Sequence, residues 1–525
     1  MQPELLDHQT QEATDMRRRR LLRAGVVLAG GALLYPPAPA SAGISRRAIA
    51  DYLREDATGL AALVRRRKVS AAELLDIAIA RTEAVDARIN AVVLRHFELA
   101  RTSVAKIPRD APLAGVPWLL KDLNVQLAGT ETTNGSRLFA GKVATTDSTV
   151  VPRYRAAGLV CFGKTASPEM GRTVTTESTL HGITRNPWNT DYSSGGSSGG
   201  ASAAVAAGIL PAAHATDGGG SIRIPAALCG LFGLKPTRLR TPNGPGRTEG
   251  WGGLSVGHAV TRSVRDSALL LDISQGPEPG AAYWPPPPSD SYVRELGRSP
   301  GRLRIGVLRD SPLGVPVDAD CLAAVDAAAL LCESLGHEVM DFTPPQGGLE
   351  LMMAFGTLVG VGFAAAVRER ARERGREPGP EDLETVNLAG YRQALGIPAV
   401  DHEQARQTVH AFGFRMHEAM QAIDVVLSPV AARPGWRVGE MSLAQTPEAF
   451  YRHLAGASDF TALHNMSGQP AMSVPLHTGP NGLPVGVMFG ARYGDEKTLF
   501  RLAAQLEQAA PWAARLSPLF REALS

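Results

Sequence analysis

Lysine is scarce in this chain: of 54 basic residues among 525, only seven are lysine and 47 are arginine. Cysteine is sparser still, with Cys161, Cys229, Cys321 and Cys332 far apart and no CxxC pair, which argues against a zinc site or a disulfide framework. Cys321 and Cys332 fall on one predicted helix, where eleven residues correspond to a rise of about 16 Å, too far for a bond between them. Burial as small hydrophobes is the expected role of all four. Charge of one sign is missing too: the formal net charge of +3 offers no basic field for nucleic acid. With 44% apolar and 20% charged residues, the composition is that of an ordinary globular chain with a large core.

Long apolar runs are also lacking. The one short run near the start belongs to a leader-like stretch, residues 16–42 (MRRRRLLRAGVVLAGGALLYPPAPASA), with a basic beginning, twelve apolar residues and an Ala40-Ser41-Ala42 cleavage site. Twelve are too few for the roughly 20 a spanning helix needs. Arg18-Arg19-Arg20-Leu21-Leu22-Arg23 resembles the twin-arginine export motif, with leucine where that motif often has phenylalanine. The expectation is a signal peptide over 1–42, cleavage after Ala42, and a periplasmic or secreted product without stable membrane insertion, no other segment approaching spanning length. Residues 43–525 then hold 49 basic against 47 acidic side chains.

Hydrophobic periodicity predicts an α/β fold with a large mixed, mostly parallel central sheet flanked by helices on both faces. Helical patterning covers 58–93, with Ser70-Ala71-Ala72-Glu73 in capping-box form. Strands are predicted at 115–120, 158–163, 303–307, 338–342, 425–427, 471–475 and 484–489. Helices are predicted at 201–208, 264–274, 319–334, across most of 349–422, and at 495–508. The pattern reads as a single domain over 43–525: N-terminal helices (43–110), a core (111–275), a Pro-rich loop (276–302) and the remaining sheet and pocket helices (303–525). Pro285 to Pro288 suit a stiff surface connection rather than a sheet interior.

Several standard chemistries fail on spacing or context. Gly158 to Thr165 spells the P-loop letters, but 158–163 reads as a strand where that motif needs a loop; no His-Glu pair has a second histidine four residues on; and Ser103-x-x-Lys106 stands without the Ser-Asp-Asn and Lys-Thr-Gly motifs that accompany it in penicillin-binding enzymes. GGSSGG at 195–200 matches the G-x-S-x-G nucleophile elbow twice, but polar NPWNTDYSS precedes it where an elbow needs a buried strand. What remains is a lysine at a predicted strand end, Lys121; the run Gly195-Gly196-Ser197-Ser198-Gly199-Gly200; and Asp217-Gly218-Gly219-Gly220-Ser221-Ile222-Arg223, whose Ser221 lies 24 residues after Ser197.

Together these pieces resemble the amidase signature family, as do Asn186-Pro187-Trp188, the stretch 233–237 (GLKPT) and 465–471 (NMSGQPA), so that the similarity runs from about Thr58 to the C-terminal helix. The resemblance implies a cofactor-free, metal-free amidase acting on a small-molecule amide, with no nucleic-acid partner; members of the family are often homodimers. It implies Ser221 as nucleophile, Ser197 as a bridging serine preceded by a cis peptide bond, and Lys121 as the base behind both. A base must be neutral, which asks for burial to lower the ordinary lysine pKa of about 10.4, and arginine could not fill that role. Backbone N–H groups at Gly218, Gly219 and Gly220 suit an oxyanion hole. Asp217 and Arg223 suit loop-shaping charges, Ser198 a hydrogen bond to Ser221 or Lys121, and His214 a place in the core. The C-terminal stretch 468–512 is also similar to the branch that includes 6-aminohexanoate oligomer hydrolases and aryl acylamidases, which implies uncharged, hydrophobic or linear amides. Three other readings use the same residues: an esterase, an amidotransferase A-type subunit acting on charged tRNA, and a binding protein without activity.

Overall fold

A computed structural model describes residues 44–524; the expected signal peptide lies outside them. The small sheet is built from β1 (Val92–Arg95), β2 (Pro117–Lys121) and β3 (Val160–Thr165), in the order β1-β3-β2. Two short ladders follow, β4 (Glu177–Ser178) with β5 (Gly182–Ile183), and β6 (Arg185–Asn186) with β7 (Asn189–Ser193). The main sheet holds eight strands: β8 (Ala212–Asp217), β9 (Phe232–Lys235), β10 (Val256–Thr261), β11 (Arg304–Val307), β12 (Glu338–Asp341), β13 (Val425–Pro429), β14 (Ala471–Thr478) and β15 (Pro484–Ala491). Their order is β12-β11-β13-β15-β14-β9-β10-β8.

Period-two alternation sorts each central strand between two cores. Val425, Leu427, Val487 and Phe489 face the helices Val264–Ser274, Ala319–Ser334 and Glu496–Ala509, whereas Val426 and Met488 face the opposite core around Arg223–Cys229 and the long helices beyond it. The α/β class and the mixed sheet stand as expected. The parallel majority does not: only β11 pairs in parallel, with β12 and β13, and the other five neighbour pairs of this sheet are antiparallel. The reason is local. The strands β14 and β15 are joined by a tight turn, closed by Gly479 N–H donating to the Leu483 carbonyl at 2.9 Å, and a tight hairpin can only be antiparallel.

Two more expectations change. Residues 92–95 extend the helical-looking stretch in sequence but form β1, paired antiparallel to β3, because Asn90 in the left-handed region (φ 51°) ends the helix Ala71–Ile89. A segment outside the leader also reaches spanning length: the helix Gly348–Arg374 has 27 residues and a mean hydropathy of 1.7 over its most apolar window. Its glycines, Gly356, Gly360 and Gly362, hide that length to the eye. Here it packs Leu351, Ala354, Leu358 and Phe363 into the fold. Of the cysteines, three are buried and Cys161 is half-buried.

The helix Gly199–Ala206 is buried along its whole length, and its first turn lies directly against β3. A Cβ on Gly200 would collide with the backbone of Ala166. Gly200→Ala is therefore expected to lower stability by about 1–3 kcal/mol, as overpacking does. Chemical denaturation would measure it; an unchanged midpoint would mean that this contact is loose.

Candidate active site

Lys121 closes β2, every residue of which is buried. In β3, Lys164 lies beside Leu120 and Thr165 beside Lys121, so the two lysines point to opposite faces of the small sheet. Lys164 donates to the hydroxyl of Thr132 and to the Val125 carbonyl (3.3 Å). Lys121 instead donates from Nζ to Ser197 Oγ at 2.7 Å and to Thr216 Oγ1 at 3.0 Å. It is wholly buried and both partners are neutral, so desolvation pulls its pKa well below the ordinary lysine value, the Asp217 carboxylate opposing weakly.

The Gly196–Ser197 peptide is cis, as the resemblance implied. Gly196 is pressed so closely on the backbone of Thr175 that no Cβ fits, and an added Cβ on Gly171 would sit 3.2 Å from Ser197 Oγ. Glycine at both positions leaves room for the Ser197 hydroxyl. Ser198 departs from expectation: its hydroxyl bonds neither Ser221 nor Lys121 but clamps Thr216, donating to its carbonyl (3.1 Å) and accepting from its N–H (3.2 Å). The reach to Ser221 is made by the backbone, Ser198 N–H donating to the Ser221 carbonyl at 3.2 Å.

Alternation along β8 places His214 and Thr216 on the lysine side and Asp217 on the other. His214 Nδ1 accepts the Lys121 backbone N–H at 3.4 Å, stitching the small sheet to the edge of the large one; burial and the nearby lysine push its pKa down to about 3, so it is a neutral core residue. Asp217 meets Arg223 in a two-pronged ion pair, Nε to Oδ2 and Nη2 to Oδ1, both 2.9 Å and fully buried. Asn465 completes the cluster, accepting from Arg223 Nη2 (2.6 Å) and donating to Asp217 Oδ1 (2.9 Å). Burial alone would raise the Asp217 pKa, but the guanidinium and these donors hold it well below the usual carboxylate range.

The glycine triplet is wrapped on this carboxylate. Gly220 N–H donates to Asp217 Oδ1 (2.8 Å) and Ile222 N–H to Oδ2 (3.1 Å), so the expected oxyanion role of Gly220 is withdrawn: its donor is already spent. Among the described residues, the N–H groups of Gly218, Gly219 and Ser221 meet no protein acceptor, and neither does the half-buried Ser221 hydroxyl. Gly220 has φ 134° and would drive a Cβ to 2.5 Å from Thr461 Oγ1, so only glycine fits there. At Gly218 and Gly219 the neighbours are aromatic: an added Cβ would lie 2.7 Å from the Trp251 ring and 3.0 Å from Phe355. Those two rings wall the space over the free N–H groups.

Thr216, Thr461, Asn465, Trp251 and Phe355 went unseen in the sequence as site residues. Asn465 had a signal, since it opens the NMSGQPA stretch; the two rings had none, because contact through a glycine leaves no local pattern.

Similarity to known proteins follows this geometry. The Amidase family's sequence model matches residues 73–500. The 6-aminohexanoate-cyclic-dimer hydrolase of Paenarthrobacter ureafaciens is 39% identical over 476 residues, 88% of this chain and 96% of that protein. A structure of 6-aminohexanoate cyclic dimer hydrolase complexed with substrate superposes with a TM-score of 0.85 at 37% identity, covering 89% of this chain and 99% of that one. A bacterial aryl acylamidase of the amidase signature family gives a TM-score of 0.80 at 26% identity over 90% and 99% of the two chains. With its fold, its paired glycine-serine motifs and these relatives in agreement, the chain belongs to the amidase signature family and is an amidase, a hydrolase of amide C–N bonds.

Proposed function

We propose that this amidase works through a Ser221 acyl-enzyme relayed by Ser197 to Lys121, on linear or aryl amides, and that it is exported. The observation that carries the mechanism is the 2.7 Å hydrogen bond from a wholly buried Lys121, with no carboxylate partner, to Ser197 Oγ. As Ser221 Oγ attacks the carbonyl carbon, its proton passes to Ser197 and the Ser197 proton to neutral Lys121. Turning the unbonded Ser221 hydroxyl toward Ser197 closes that relay. Charge develops on the carbonyl oxygen, and the unengaged N–H groups of Gly218, Gly219 and Ser221 supply its donors. Both serines also lie at the N-terminal ends of helices, Gly199–Ala206 and Arg223–Cys229, where the helix dipole favours negative charge. When the tetrahedral adduct collapses, the C–N bond breaks and Ser197 returns the proton to the leaving amine. Water then attacks the acyl ester by the same relay and frees Ser221. The relatives named for hydrolysis of a 6-aminohexanoate cyclic dimer and for aryl acylamides support amides carrying alkyl or aryl groups as substrates.

Ser221→Ala is expected to remove hydrolysis of an amide panel of anilides, primary amides and 6-aminohexanoate oligomers, measured as amine release; full activity in that variant ends the mechanism. Faster cleavage of esters than of matched amides, both followed by release of the common carboxylic acid, would end the amidase specificity while sparing the serine.

The pH profile tests the base. Since Lys121 acts when deprotonated, kcat/KM falls on the acid side as it takes up a proton, with a midpoint well below the ordinary lysine value. In Asp217→Asn a negative charge that favours the protonated lysine is gone, so the acid limb moves to lower pH; a limb that stays in place or moves up assigns it to another group.

Export rests on the leader motif. Replacing Arg18 and Arg19 together by lysine is expected to hold the uncleaved chain in the cytoplasm of a bacterial host, read by fractionation; unaltered export would end the twin-arginine reading.

A further inference from the structure

Beside the reacting centre stands a guanidinium with no partner. Arg172 follows Gly171, the residue packed on Ser197, and its half-buried side chain sets Cζ over Phe363, 4.2 Å from the ring centroid. Its Nη1 is shielded from solvent yet meets no acceptor, and among the described residues Arg172 enters no ion pair. The nearest acid on its own element, Glu169, is committed elsewhere: Oε1 accepts from Ser136 Oγ (2.8 Å), and Oε2 accepts from Glu384 N–H (2.8 Å) and Asn387 Nδ2 (2.9 Å). Burial and the Glu384 carboxylate also push the Glu169 pKa up to about 7, which weakens it further as a counter-ion. Gly390 keeps space open at the fork, where a Cβ would approach Nη1 at 3.4 Å, and the Tyr451 ring, 49% exposed, marks the solvent side.

Such a group is unusual. Arginine forks are the side chains best matched to a carboxylate, and a shielded one without a partner leaves donors unsatisfied. Its placement relates it to the reaction. Phe355, which covers Gly219, and Phe363, on which Arg172 stacks, lie on the same helix, Gly348–Arg374, and Trp251 spans from Gly218 to Gly362 on that helix. Eight residues of helix correspond to a rise of about 12 Å. A carboxylate on Arg172 would therefore lie on the order of 10 Å from the attacked carbonyl, a distance covered by roughly eight single bonds or by an aromatic ring with a short arm.

We propose that Arg172 is a specificity-determining residue that binds the free carboxylate of a linear amide, the carboxylate being set off from the scissile bond by an alkyl or aryl spacer. The proposal rests on the amidase reading and deepens it: a cyclic dimer, with both amides inside the ring, has no carboxylate to offer. Of the earlier expectation of uncharged, hydrophobic or linear amides, the linear class is kept and the lack of charge is replaced by one anionic end.

The test compares the full chain with Arg172→Gln and Arg172→Lys on two substrates, the linear 6-aminohexanoate dimer and the same dimer with its carboxyl end converted to a methylamide. The wild type is expected to favour the carboxylate form at least tenfold in kcat/KM, mainly through KM. In Arg172→Gln that ratio falls at least tenfold, and Arg172→Lys, which keeps the charge but loses the fork, recovers part of it. A ratio near one in the wild type, or one that Arg172→Gln leaves in place, overturns the proposal and assigns Arg172 to packing on Phe363. Failure of the amidase reading looks different: no amide in the panel is cleaved. In that case calorimetric titration with hexanoate still decides the question, since binding weakened at least tenfold in Arg172→Gln supports the carboxylate site and equal binding to both proteins overturns it.

Discussion

Everything at this site depends on keeping one ammonium group out of water without giving it a counter-charge. A buried lysine beside a free carboxylate would stay protonated and could not act as a base. Lys121 avoids that because its two partners, Ser197 and Thr216, are hydroxyls. The one nearby carboxylate, Asp217, is turned to the other side of β8 and neutralised there by Arg223. Alternation along a single strand thus separates the base from the ion pair that shapes the loop. Moving β8 by one residue would put Asp217 on the lysine and Thr216 on the arginine, reversing both environments.

The buried pair brings no obvious gain in stability, since removing two charges from water offsets most of their attraction. Its use is geometric. One carboxylate receives a guanidinium, a side-chain amide and the N–H groups of Gly220 and Ile222, so the loop from 217 to 223 is fixed at several points. Fixing it that way commits Gly220 and leaves Gly218, Gly219 and Ser221 with donors turned to open space. A preset array of donors costs no reorganisation when the oxyanion forms, which is where hydrolases gain most. The glycine triplet therefore serves two purposes that the sequence shows as one: Gly220 for its backbone angle, and Gly218 and Gly219 for the closeness of Trp251 and Phe355.

Much of this was legible beforehand, for identifiable reasons. Helices with clear caps and periodicity, such as Val264–Ser274 and Ala319–Ser334, match their predicted bounds, and Lys121, Ser197 and Ser221 stood out because glycine runs inside apolar sequence need an explanation. Strands β8, β9 and β10 were missed: β8 is rich in alanine, which carries no strand signal, and β9 is bounded by a helix whose end looks continuous with it. The mistaken parallel majority has in part the same origin, since those unseen strands supply three of the five antiparallel pairs and β15, hairpinned to β14, supplies the other two. Within the site, contacts made by hydroxyls and backbone, such as Thr216 on Lys121 or Thr461 Oγ1 donating to the Gly219 carbonyl at 2.6 Å, carry no pattern in one dimension.

Arg172 extends the same logic from chemistry to recognition. The chain surrounds its catalytic lysine with neutral groups and satisfies Arg223 completely, with hydrogen bonds to Asp217, Asn465 and the Thr461 carbonyl. Against that standard, a half-buried arginine with a shielded, unbonded Nη1 and a guanidinium set over an aromatic face stands out from its surroundings. Stacking on Phe363 holds the plane of the guanidinium while leaving its edge donors unused. Holding the plane without filling the edge is the arrangement that lets an incoming carboxylate bind with little ordering of the protein, because the side chain's rotamer freedom is already lost. One buried lysine is thus deprived of its charge to act as a base, while a half-buried arginine keeps its charge and lacks only the anion it would pair with.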